Sequence, residues 1–235
     1  MPDQKTEIFV STLLEWAKNN LRDYPWRVTK DPYKIMIAEI MLQRTRAEQV
    51  VPVYQRFLRK YPDLISLSKA PVSDVRLAIL SLGLEKRAEG IKQLANQIVE
   101  QYHGRIPRTR EELMRLHWVG NYIANAILCY AYRVDVPTVD VNFARVLDRV
   151  FSLKPKPPAQ KDRRVHEFAQ RLMPSAKGRC RVLNLGILDL ASKICTARKP
   201  SCRICPVNSV CDYGALVLKD LETQGKPSVS TLGRI

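Results

Sequence analysis

Four cysteines, Cys195, Cys202, Cys205 and Cys211, fall in one short stretch with the spacing C-x6-C-x2-C-x5-C. Thiolates this near in sequence can surround one soft metal centre without long-range folding. Thiolate-only ligation selects zinc or an iron–sulfur cluster over hard cations. Two carboxylates also stand out. Glu39 is the only charged residue between Lys34 and Arg44, with Ile35, Met36, Leu42 and Gln43 on its helical face. Burial there disfavours the charged form and suits a proton donor near neutral pH, although a Glu reaching the edge of the helix would read the same way. Asp140, in Val136-Pro137-Thr138-Val139-Asp140-Val141-Asn142-Phe143-Ala144-Arg145, stands at a helix N-terminus, where the dipole favours the ionised carboxylate. It can cap that helix, and it can also stabilise a developing positive charge or orient a water.

A third pattern, Leu116-His117-Trp118-Val119-Gly120-Asn121-Tyr122-Ile123-Ala124, lies between two short helices. A tight hairpin with Gly120 opening the second helix exposes backbone N–H groups, which bind a phosphate without reading sequence. An ordinary helix–helix turn has the same residues, so the pattern alone leaves both readings open.

The elements that must position these groups all read as helices. Phe9, Leu13, Trp16 and Ala17 recur at helical spacing. Asp31-Pro32 opens a second helix through Met41 and Leu42. Further helical patterns cover 50–60, 72–82, 88–102, 122–132, 140–151, 166–172 and 182–194. Thr109-Arg110-Glu111-Glu112 is a capping-box start for a short helix. No segment shows sustained apolar–polar alternation, so no sheet is expected. The Lys154–Pro158 segment is a loop, because consecutive prolines cannot continue a helix. From 219 the chain reads as a flexible tail.

The 235 residues suffice for one large domain or two small ones, with 46% hydrophobic and 26% charged residues as in ordinary globular chains. A formal charge of +16, spread along the chain, favours a polyanion partner, most simply nucleic acid. No apolar run reaches the length of a membrane span, and the start MPDQKTE lacks the apolar core of a signal peptide. A cytoplasmic, nucleoid-associated protein is expected, with reduced thiols. Cys129 and Cys180, outside the run, read as small buried residues.

The hairpin ending in Gly120, the Asp on the next element and the cysteine run together resemble the helix-hairpin-helix DNA glycosylases of the endonuclease III superfamily, from about Tyr24 to Tyr213. The resemblance implies a [4Fe–4S] cluster on the four cysteines. Zinc is disfavoured, since four-cysteine zinc sites pair two short C-x-x-C turns at a longer separation. It also implies an all-α, two-domain fold with a DNA cleft between the domains: a six-helix barrel over 25–135, and a cluster domain made of 1–24 and 136–218.

The residue after Gly120-Asn121 bears on the reaction. Lyase members carry a Lys there, whose amine forms a Schiff base; Tyr122 cannot, so base removal without strand cleavage is expected. Tyr24-Pro25-Trp26-Arg27, Glu39-Ile40-Met41-Leu42-Gln43 and Asp140-x-Asn142 resemble both the adenine glycosylases and the thymine/uracil mismatch glycosylases. Three features favour the latter. Asn142-Phe143-Ala144-Arg145-Val146 follows their pattern more closely, Gly83-Leu84-Glu85-Lys86-Arg87-Ala88 lacks the paired tyrosines usual after Gly-Leu-Gly in adenine glycosylases, and the chain as it stands has no room for an 8-oxoguanine-reading domain. The expected substrate is duplex DNA with thymine or uracil opposite guanine, bound by a monomer. An adenine-specific mismatch glycosylase and a non-catalytic iron–sulfur DNA-binding module are the alternatives.

By the same resemblance Asp140 stabilises charge on the sugar, Asn142 orients water or Asp140, Tyr122 lines the sugar pocket, and Glu39 contacts or protonates the departing base. Gln43 and Leu84 wedge into the vacated stack, and Arg44, Arg145 and the hairpin residues His117, Trp118, Val119, Gly120 and Asn121 contact DNA. The hairpin departs from the family's Leu-Pro-Gly-Val-Gly, with Trp118 in place of the first Gly, and Ile123 replaces the usual Thr. If position 118 needs φ > 0, a Trp is strained there. His117 and Trp118 then either gain contacts to DNA or a flipped base, or Trp118 belongs to the core.

Overall fold

A chain without apolar–polar alternation has no half-buried strand to offer. Among the described residues, 3–83 and 86–224 of the computed structural model, every regular element is helical: twelve α-helices with short 3₁₀ turns between them and no strand. No described helix is long and apolar enough to cross a membrane. The chain divides into two compact units, Arg22–Thr138 and Met1–Leu21 with Val139–Ile235. Residues 22–24 and 136–138, assigned from sequence to the discontinuous unit, thus fall in the continuous one. Side-chain contacts account for this. Tyr24 stacks on Trp26 with ring centroids 4.9 Å apart and donates its hydroxyl to Glu48 at 2.6 Å. Thr138 shares a 3.0 Å hydrogen bond with the Tyr130 hydroxyl.

The continuous unit is built on α2 (Pro32–Leu42). Asp31 caps it by accepting from the Tyr33 and Lys34 amides, and Pro32 sits in the first turn, where no N–H is needed. Every residue of α2 from Ile35 to Met41 is buried. Full burial of each large apolar side chain contributes roughly 1.5–3 kcal/mol, so this helix anchors the core. Around it lie α3 (Ala47–Lys60), α4 (Leu64–Lys69), α5 (Val72–Ile79), α6 (Lys86–Tyr102), α7 (Arg110–Leu113) and α8 (Asn121–Tyr130). The six-residue α4 escaped the periodicity reading because it shows only Leu64 and Leu67 to the core, although Asp63 and Ser66 form a full capping box.

The discontinuous unit holds α1 (Gln4–Asn20), α9 (Val141–Phe151), α10 (Arg163–Leu172), α11 (Cys180–Lys193) and α12 (Asp212–Gln224). Phe9 and Leu13 of α1 are buried, as are Phe143 and Leu147 of α9 and Leu183 and Ile187 of α11. Phe151 meets Phe9 edge-on at 5.3 Å and Phe168 at 4.6 Å. Residues 219–224, expected in a flexible tail, belong to α12, which runs through Gln224 with no Gly or Pro from Ala215 to Gln224; the rest of the expected tail lies outside the described residues. Cys129 and Cys180 are buried, as expected.

Candidate functional site

In the continuous unit, α7 begins at Thr109, whose hydroxyl accepts from the Glu112 amide. The Asn125 side chain accepts from Arg110 and donates to the Pro137 carbonyl, both at 2.7 Å, which ties α8 to its neighbours. Between α7 and α8 the backbone turns through Trp118, which adopts φ +64°. A non-glycine residue in this left-handed region costs about 1–2 kcal/mol. Its indole is half-buried against α6, where a methyl group placed on Gly90 would lie 2.3 Å from Cε2 and Nε1 of the ring. The Gln97 side chain, two helical turns further on, accepts from the His117 amide at 2.8 Å and donates to the Arg115 carbonyl at 3.1 Å.

His117 and Gly120 are exposed and Asn121 is half-buried, whereas the Val119 side chain is buried, leaving only its backbone to face a ligand. Gly120 caps α8 without a side-chain acceptor, so first-turn amides of the helix keep no intrahelical partner. No atom lies within 4 Å of where a side chain at Gly120 would point. The protein's own packing therefore does not require glycine there, and the open backbone face suits a close-approaching anion. Tyr122 is half-buried on the first turn of α8.

Glu39 is 6% exposed on α2. Past the end of that helix, Gln43 is half-buried and Arg44 is exposed with φ +56°. This loop is held by a residue the sequence did not flag. Arg87 is fully buried and donates to the Met41 carbonyl at 3.0 Å, the Gln43 carbonyl at 2.6 Å and the Thr45 hydroxyl at 3.4 Å. Burial lowers its pKa. In Lys86-Arg87-Ala88 nothing distinguishes it from an ordinary surface charge. Arg87→Met leaves these acceptors unpaired, at about 1–3 kcal/mol each, and a urea midpoint should register a loss of at least about 2 kcal/mol. A loss below about 0.5 kcal/mol would mean that water replaces the guanidinium. Leu84 lies outside the described residues.

In the discontinuous unit Asp140 caps α9. One carboxylate oxygen accepts from the Phe143 amide at 2.7 Å and the other from Asn142 Nδ2 at 2.9 Å. Asn142 Oδ1 accepts in turn from Arg145 Nη1 at 2.9 Å. The remaining Arg145 nitrogens donate to the carbonyls of Cys195 and Ala191, both at 3.1 Å. Arg145, expected on DNA, is thus committed to a chain that runs from the Asp140 carboxylate to the backbone of a cysteine. The cause is helical register, since positions 142 and 145 share a face of α9 that meets the end of α11.

Arg149, one further turn along that face, was also missed, although the i, i+4 spacing from Arg145 would have found it. It donates to the Thr196 carbonyl at 2.7 Å and the Ala197 carbonyl at 2.9 Å, and lies over the Tyr213 ring at 4.7 Å.

Cys195, Cys202, Cys205 and Cys211 line one pocket together with Arg149 and Tyr213, and none is in a disulfide. Burial, with repulsion from the other thiols, pushes Cys205 up to about 11 and raises Cys202 and Cys211 as well. The Gly214 amide donates to Cys211 Sγ at 3.2 Å. Among the described residues no group of three or more His, Cys, Asp or Glu side chains is arranged to hold a metal ion. The four cysteines are soft, thiolate-forming donors lining one pocket, a donor set whose chemistry suits a thiolate-ligated centre. Arg198, Lys199 and Arg203 on the same loop are exposed.

Residues 37–177 match the family model of the HhH-GPD superfamily of base excision DNA repair proteins. A thymine/uracil-DNA glycosylase of Methanothermobacter thermautotrophicus is 38% identical over 212 residues, 90% of this chain and 95% of the relative. A thymine-DNA glycosylase of Aeropyrum pernix is 42% identical over 204 residues, 86% of this chain and 92% of the relative. The solved structure of a thermostable thymine-DNA glycosylase superposes with a TM-score of 0.83 at 37% identity, covering 91% of this chain and 98% of the other.

Proposed function

The chain belongs to the HhH-GPD superfamily as a base-excision repair DNA glycosylase, and from that premise we propose that it hydrolyses the N-glycosidic bond of thymine or uracil opposite guanine in duplex DNA. The observation that carries the chemistry is the Asp140–Asn142–Arg145 chain. It fixes the orientation of a carboxylate at a helix N-terminus. The substrate class rests on the likeness to archaeal thymine and thymine/uracil glycosylases along nearly their whole length.

The hairpin amides around Gly120 would take a DNA phosphate, fixing register without reading sequence. The mispaired nucleotide is then extruded, at lower cost than a paired one. Asp140 would stabilise positive charge developing on the sugar as the base departs, and hold the water that replaces it. Asn142 orients the carboxylate, Tyr122 would line the sugar pocket, and Glu39 would contact or protonate the leaving base. Gln43 and Arg44 would enter the vacated stack and its flanks. Tyr122 offers no amine, so no Schiff base forms and the sugar–phosphate strand stays whole.

Members of the superfamily often carry a [4Fe–4S] cluster, and the four cysteines would hold one here. Their donor set is soft and thiolate-only, and a cationic centre removes the penalty that burial and mutual repulsion place on the thiolates. When bound, the cluster supplies a cross-link across the 195–211 loop. Cys202→Ser should cost the purified protein its iron and its visible absorption; a variant that keeps both would remove this ligand assignment.

The test of the activity is a panel of T·G, U·G and A·8-oxoG duplexes treated with alkali after incubation. Breaks in the T·G and U·G strands, only after alkali, are expected. Breaks confined to A·8-oxoG would assign the adenine reaction. Tight binding with no breaks at all would leave a DNA-binding module.

A further inference from the structure

Building on the reading of the hairpin as a phosphate-binding turn, we propose that Trp118 is a positioning residue: its indole, lodged in the notch that Gly90 leaves on α6, holds the hairpin backbone in its DNA-binding conformation. Three observations bear on this. Trp118 occupies the left-handed region at φ +64°, where a residue with a Cβ carries a steric cost. The indole meets Gly90 so closely that an added methyl would sit 2.3 Å from two ring atoms and 2.6 Å from Cδ1. Gln97, seven residues along α6, grips the Arg115 carbonyl and the His117 amide on the near side of the same turn.

The mechanics follow from connectivity. A return of residue 118 to negative φ would swing the peptide planes that follow it, and with them the amides at the start of α8. The ring cannot follow such a rotation without leaving the notch. Gly90, fifth in a 17-residue helix, weakens its second turn, and the space it opens is the space the indole fills. Trp118 and Gly90 therefore form one device that replaces, by packing, the conformational freedom of a glycine at position 118.

The test compares Gly90→Ala, Trp118→Gly and Trp118→Ala. The readouts are affinity for an undamaged duplex and single-turnover base release from T·G DNA at saturation. Gly90→Ala should weaken binding about tenfold, with a much smaller change in the saturated rate. Trp118→Ala should bind more weakly than Trp118→Gly, because alanine keeps the backbone strain and loses the anchor whereas glycine tolerates the turn. An indole that merely filled space would give the reverse order, since glycine removes more side chain. Gly90→Ala in the Trp118→Gly background should cost nothing further.

Equal costs of Gly90→Ala in both backgrounds, or alanine at 118 binding as well as glycine, overturns the proposal. Should Gly90→Ala fail to fold, the order of the two Trp118 variants decides alone. The ordered affinities without base release by the wild-type protein would overturn the substrate reading and leave this one standing. Base release with affinities indifferent to residues 90 and 118 would do the opposite.

Discussion

Asp140→Asn slows single-turnover base release by a factor on the order of 10²–10³, the usual scale for losing one preorganised electrostatic group, while affinity for the substrate duplex stays within about threefold. Asparagine keeps the shape and retains an oxygen for the Phe143 amide, now 2.7 Å from the carboxylate, and Asn caps helices about as well as Asp. The fold of α9 therefore survives. What disappears is the negative charge available to a cationic sugar. The Asn142 amide, which donates to Asp140 at 2.9 Å, would then need to turn or face another NH₂. A rate near that of the wild-type protein would remove Asp140 from the chemistry and leave it as a helix cap alone.

Arg145→Met is the second large effect, and it separates two roles for one residue. As a phosphate contact, its loss would weaken binding across all sequences and reduce the salt dependence by about one counterion. As the internal tie between Asn142 and the carbonyls of Ala191 and Cys195, its loss leaves part-buried acceptors unpaired and Asn142 free to rotate. We expect the second pattern. Stability should fall by about 2–4 kcal/mol, base release should fall about 10–100-fold as the carboxylate loses its orientation, and the slope of affinity against salt should not move. A reduced slope with an unchanged saturated rate would return Arg145 to the DNA surface. The Cys195 carbonyl belongs to the same chain, so Cys202→Ser should depress base release in the same direction by loosening the loop that carries it.

Much of this was legible in the residue order, for physical reasons. The helices with two or more turns of regular apolar spacing, such as those carrying Phe9 and Leu13 or Ile35 to Met41, follow from the pattern because their buried faces are wide. α4 offered only Leu64 and Leu67, too little to establish a period. α12 follows the last cysteine and offers only a short apolar run after Tyr213, Ala215-Leu216-Val217-Leu218, likewise too little to establish a period. Trp118 was legible as a conflict: a bulky residue where a turn needs positive φ. Its resolution was not, because Gly90 is 28 positions away and looks like any helix glycine. Arg87 and Arg145 mark the general limit. A charge sequence cannot distinguish an arginine offered to solvent from one consumed by carbonyls at helix ends.

The most direct measurement is the identity of the base set free in a single turnover from a duplex holding one T·G pair, with the strand examined before and after alkali. Free thymine, none from the matched T·A duplex, and a strand intact until alkali is the expected result. Cleavage without alkali through an adduct trapped by borohydride would contradict hydrolysis at a site furnished with Tyr122. Adenine freed from A·8-oxoG while T·G remains untouched would contradict the substrate.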